Sequence, residues 1–156
     1  MPTTSPSRPA AINLHFRVRG TPTPQGSKRL GRHGARAVIL DDNDATLKVW
    51  RTEVAHAARA ALGDRAPMAG PIAMDVAFFL PRPASHLTTK GALRSTAPER
   101  PAVKPDLDKL IRSTQDGIAT DAKVIVEDSR IVMIRAEKHY GPPGAVVALR
   151  RMGAVS

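Results

Sequence analysis

Lys104-Pro105-Asp106-Leu107-Asp108-Lys109 is the densest run of chemically usable side chains in this 156-residue sequence, and Arg112, Asp116 and the pair Glu127-Asp128 follow it. Inside a helix two carboxylates spaced two apart point to different faces. At a helix start the first is still extended, so Asp106 and Asp108 can turn toward one point. Asp128, at a strand end, would complete the group from the sheet side, with Glu127 beside it. Carboxylates gathered without His or Cys make an oxygen-rich site suited to Mg²⁺, or to Mn²⁺ in its place. Such an ion supports phosphodiester hydrolysis by activating water and neutralising charge on the phosphate, and Lys109 or Arg112 would stabilise the charge of the transition state. The plainer reading is that these acids cap a helix and line its solvated face. Spacing alone leaves both readings open.

Charge distribution favours the first. The 24 Lys and Arg against 14 Asp and Glu give a net charge of +10, which suits a polyanionic partner. Residues 101–140 hold seven acids and seven bases, so this window is neutral and the whole excess lies outside it. A protein that only grips nucleic acid gains nothing from carboxylates facing phosphate, whereas one that cuts it with a divalent metal needs them. The chain has no Cys, which excludes disulfides, zinc–thiolate sites, iron–sulfur clusters and a thiol nucleophile. Its apolar stretches fall short of the roughly 18–20 residues of a membrane span. The five His are scattered, and aromatics at 3% offer little for a base-stacking platform. Neither a membrane nor a small-molecule cofactor is expected.

The elements that must position the site follow from periodicity. Residues 1–11 are rich in Pro, Ser and Thr and read as a disordered lead-in to a single domain over 12–151. Ile12, Leu14, Phe16 and Val18 alternate with polar residues, the pattern of a half-buried strand. Gly20 to Arg36 reads as a basic loop, with Lys28, Arg29, Arg32 and Arg36 placed to meet phosphate, and Val38–Leu40 as a few extended residues. Asp41, Asp42 and Asp44 open a helix that Gly63 ends. Ile72 to Leu80 alternate again as a second strand, and Trp50, Phe78 and Phe79 are assigned to the core. Residues 81–105, with five Pro, read as a long mobile basic loop in which Lys90, Arg94 and Lys104 are further phosphate contacts. A helix over about 106–119 follows, then strands near 124–126, 131–140 and 145–149. The order predicts an α+β fold, a mixed sheet with helices packed on it.

The run KPDLDKLIRSTQDGI with VIVEDSRI and RAEKHYG resembles the signature region of the RusA family of Holliday junction resolvases. FRVRGTPTPQGSKRLGR is similar to that family's first strand and basic loop, and FFLPRPASHLTTKGALRSTAPERPAVKPDLD to its phage-type members. The resemblance covers about residues 12–140. It implies that Asp106 and Asp108 are the paired metal-binding aspartates and Asp128 the downstream catalytic one, and that these three, with help from Glu127, hold the metal ion. Arg112 stands where the family has a lysine, and Lys109 where it has an asparagine. Arg is not equivalent to Lys in placing a point charge, so these two roles rest on charge alone.

The resemblance therefore implies a RusA-like, Mg²⁺-dependent, structure-selective endodeoxyribonuclease that resolves four-way DNA junctions during recombination and repair. It further implies a homodimer in the bacterial cytoplasm, phage- or prophage-encoded. The other readings are a non-catalytic nucleic-acid-binding protein, or a nuclease that acts on forks or flaps.

Overall fold

The structure is a computed structural model that describes the backbone of residues 12–26, 28–33, 36–41 and 44–153, and side chains over 14–26 and 45–153. Residues 1–11, expected to form the lead-in, lie outside the described residues. Eight principal elements follow in order: β1 (Ile12–Arg19), β2 (Lys28–His33), β3 (Arg36–Asp41), α1 (Asp44–Leu62), β4 (Ile72–Leu80), α2 (Leu107–Gln115), β5 (Ile131–Tyr140) and β6 (Gly144–Arg151). The α+β class and the mixed sheet stand as predicted.

Four strands form one sheet in the order β1-β6-β4-β5. β6 pairs antiparallel with both β1 and β4, while β5 runs parallel to β4 and forms an edge. Alternation divides the sheet into two faces. Leu14, Phe16 and Val18 of β1, Met74, Val76 and Phe78 of β4, and Ala145, Val147 and Leu149 of β6 form the core with Trp50, Val54 and Ala58 of α1 and Leu110 of α2. Both helices thus cover one face. The opposite face carries half-buried Asp75, Ala77 and Phe79. Phe79, expected in the core together with Phe78, lies on this face instead, where its ring stacks on His139 of β5 at 5.4 Å.

Two further expectations are corrected. The basic segment that reads as a loop folds into a hairpin, with β2 and β3 paired antiparallel from Lys28↔Asp41 to His33↔Arg36. Residues 124–126 form no sheet strand; Ile125 makes a single parallel bridge to Met68. Segment 81–105 has no sheet strand either, but folds on itself. Thr88 N–H donates to Ala92 O at 2.7 Å, Arg94 N–H to His86 O at 2.9 Å, and the Arg82 guanidinium lies 4.4 Å over the Tyr140 ring.

The two helices meet closely. A Cβ on Gly117 would sit 2.8 Å from Val54 Cγ1, so only glycine fits there without displacing α1. Trp50 Nε1–H donates to Thr114 Oγ1 at 3.2 Å in the buried interface, which satisfies the indole's polar group. After Gln115 the chain widens into a π-turn over Asp116–Asp121. Arg51 grips its end through two hydrogen bonds of 2.8 Å to Asp121, and Arg59 donates to the Asp121 carbonyl. Hydrogen bonding to Asp121 raises the Arg51 pKa above its ordinary value; burial opposes this, and the charges of Asp121 and Asp116 add to it. The Arg51 guanidinium is therefore held in its charged form at neutral pH.

Candidate active site

Asp106 occupies the N-cap position of α2 with extended backbone (φ −68°, ψ 137°), and its carbonyl accepts the first helical bond from Leu110 N–H at 3.1 Å. Its carboxylate makes no capping hydrogen bond. A side-chain cap of the usual kind would bind a backbone N–H of the first turn, so the carboxylate is left at the solvated face of the helix start. The Asp106 side chain is instead half exposed, with Lys109 Nζ 3.8 Å from Oδ2. Asp108 and Arg112, one turn apart, are both exposed on the solvent side of the helix. Asp116 is half-buried and acts on Arg51 of α1.

Four hydrogen bonds from three residues fix this helix start. Gln25 N–H donates to Lys109 O at 3.0 Å, and buried Ser113 Oγ donates to Thr23 O at 2.6 Å, so segment 21–26 is bound along α2. From the sheet side, Lys138 Nζ donates to Val103 O at 2.7 Å and to Pro105 O at 2.9 Å. Sequence reasoning missed Lys138. The one signal was a lysine on the core-facing side of a strand, between Ala136 and Tyr140, where lysine is out of place unless paired.

Glu127 and Asp128 lie elsewhere. They are exposed at the entry to β5, where Asp128 starts a single 3₁₀ turn and Glu127 Oε2 accepts from Ser129 Oγ at 3.0 Å. Asp106 is beside Lys138, seven residues beyond Ile131 and so roughly 23 Å along an extended strand. Helix α2 therefore starts near one end of β5, and the chain returns through the π-turn to the other. Among the described residues no three His, Asp or Glu side chains gather closely enough to hold a metal ion. The donor set suits a hard divalent cation, but one chain does not bring Asp106, Asp108 and Asp128 to one point.

Of the expected phosphate contacts, Lys90, Arg94 and Lys104 are exposed, and Arg94 Nε also donates to Leu87 O at 3.0 Å. Lys28, Arg29, Arg32 and Arg36 lie on the β2–β3 hairpin, with side chains outside the described residues. Among the described residues no helix is long and apolar enough to cross a membrane.

The pattern of the family described as Endodeoxyribonuclease RusA matches residues 19–150, from the end of β1 to β6. The chain belongs to the RusA family of endodeoxyribonucleases. "Uncharacterized protein YqaN" of Bacillus subtilis (strain 168) is similar at 27% identity over 144 residues, covering 90% of this chain and 98% of that protein. RusA membership supports a nuclease.

Proposed function

We propose that this RusA-family protein is a Mg²⁺-dependent, structure-selective endodeoxyribonuclease that resolves four-way DNA junctions by paired incisions, as a homodimer in the bacterial cytoplasm. The carrying observation is that Asp106 and Asp108 stand exposed at the start of α2, neither spent on capping, on a helix held from segment 21–26, from α1 and from Lys138. In the reading, Asp106 and Asp108 would hold the ion together with Asp128, and Mn²⁺ would serve in its place. When bound, such an ion activates water and neutralises phosphate charge. Lys109 and Arg112 put positive charge beside the same carboxylates, where it would stabilise charge developing on the scissile phosphate.

The homodimer is supported by the β5 edge. Val132, Met133 and Ile134 are 61%, 45% and 40% exposed on it, although sheet edges are usually blunted by charge or proline. An antiparallel pairing of two β5 edges around Met133 is self-complementary, as a two-fold interface requires. It would carry the Asp128 end of one copy toward the Lys138 and Asp106 end of the other, which answers the separation of these carboxylates within one chain.

The test compares a four-way junction with a linear duplex of the same sequence. Paired nicks in the junction with Mg²⁺, none with EDTA and few in the duplex are expected. Junction binding with no metal-dependent cleavage would leave a binding protein, and preference for a fork or flap would replace the junction as substrate.

A further inference from the structure

Beside Asp106 lies a pocket of about 550 Å³, walled by segment 21–26, the first residues of α1 and the approach to α2. Pro22, Pro24, Gln25, Lys104, Asp106 and Lys109 are among its lining. Gln25 is the unusual member. Its Oε1 is shut off from solvent and accepts no hydrogen bond among the described residues, a condition that few buried polar atoms in native proteins share. The backbone cannot relieve it by moving away, because Gln25 N–H is bonded to Lys109 O at 3.0 Å.

We infer that this pocket receives one unstacked nucleotide of the DNA substrate, next to the phosphate presented to Asp106 and Asp108; the inference rests on the nuclease reading above. Four observations converge on that ligand. The volume falls within the roughly 300–1,000 Å³ of small-ligand sites. Proline rings give apolar walls for the flat of a base. A carboxamide carries the donor and acceptor that match a base edge, and the half-buried Gln25 side chain, by turning its amide, would bring the unpaired Oε1 from its shut-off position into the pocket to accept from a base amino group. Lys104 and Lys109 add the positive charge that a phosphate takes. A base stacked in duplex cannot reach such a pocket, whereas one at a branch point leaves the stack at least cost. The pocket would thereby help the enzyme select branched over continuous DNA.

The experiment uses the full chain and a four-way junction in EDTA, so that binding is read without cleavage. 2-Aminopurine, whose emission rises when it leaves the stack and which carries an amino donor, is placed at the branch point or, as control, within an arm. Saturating protein is expected to raise emission several-fold at the branch point and leave the arm unchanged. Gln25→Ala should abolish that rise while still binding the junction in a gel shift. Gln25→Met, of similar length without the amide, replaces it where circular dichroism shows Gln25→Ala unfolded. Flat branch-point emission on saturated junction, or an undiminished rise with the folded Gln25 variant, overturns the inference. Cleavage of unlabelled junction in Mg²⁺, measured in parallel, separates the two failures. If cleavage persists with flat emission, the pocket reading falls alone, and if both are absent, the nuclease reading falls with it.

Discussion

Lys138 on the edge strand β5 donates its ammonium to the carbonyl oxygen of Pro105, one residue before Asp106, at 2.9 Å. The same ammonium satisfies Val103 O at 2.7 Å, so one side chain closes the 81–105 loop and sets the entry to α2. Lys138→Met keeps the stem and removes both bonds. Hydrogen bonds to a charged group contribute about 1.5–3 kcal/mol when buried; with Lys138 half-buried, a loss of about 1 kcal/mol is expected. That corresponds to roughly 3 °C in the melting temperature of a domain of this size. Junction cleavage should fall further than junction binding, because the helix start is what loosens. A variant that melts lower but cleaves normally would deny Lys138 its positioning role.

The Asp106–Asp108 pair makes a sharper prediction. Removing the charge of Asp108 leaves the fold alone, since the side chain is exposed on the outer face of α2. Asp108→Asn should therefore melt within about 0.5 kcal/mol of the parent. Its Mg²⁺-dependent cleavage should drop by more than the roughly 10–100-fold that losing an outer-shell metal partner costs. Binding in EDTA should stay equal or tighten, because a negative charge facing phosphate has gone. Cleavage at the parent rate would remove Asp108 from the site.

Much of this was legible in the sequence, for reasons that also explain what was not. Leu14-Phe16-Val18 and Met74-Val76-Phe78 alternate cleanly because each strand has one face on the core, and α1 shows its apolar stripe because it lies on that core. Lys28–His33 carries no periodic apolar signal and so reads as a loop, although its backbone pairs with β3. β5 is an edge, and its run Ile131-Val132-Met133-Ile134 is apolar on both sides, so the pattern gives a strand without telling that its edge is open. The carboxylates stand out in the sequence by type, spacing and resemblance. Their separation was hidden, because nothing in Asp116–Asp121 announces a π-turn that returns the chain to the far end of β5.

Phosphate binding by the exposed cations predicts a measurable salt response. A protein neutralising six to ten phosphates loses roughly 10³–10⁵ in affinity between about 50 and 200 mM salt. Lys90→Gln and Lys104→Gln, both at exposed positions, should each weaken junction binding and lower the slope of log affinity against log salt by about one. Titration by fluorescence anisotropy at four salt concentrations reads both quantities. An unchanged slope in the double variant would take the 81–105 loop out of the DNA interface.

Ile134 provides the test of the β5 edge. It lies on the helix-side face of β5, in register with Met74 of β4, yet is 40% exposed because no strand follows outward. Replacing it with lysine adds the device by which natural edge strands avoid pairing, at a position where the isolated chain has room for it. Ile134→Lys should therefore keep its secondary structure, while sedimentation shifts from dimer to monomer. If a second copy supplies Asp128 to the Asp106 end, cleavage should be lost together with the dimer, and a single incision should not survive either. Mixing Ile134→Lys with the parent should then leave the parent's activity unchanged, because the variant does not pair with it. A variant that remains dimeric and resolves junctions would place the interface elsewhere, and a monomer that still cleaves would show that one chain gathers its carboxylates alone.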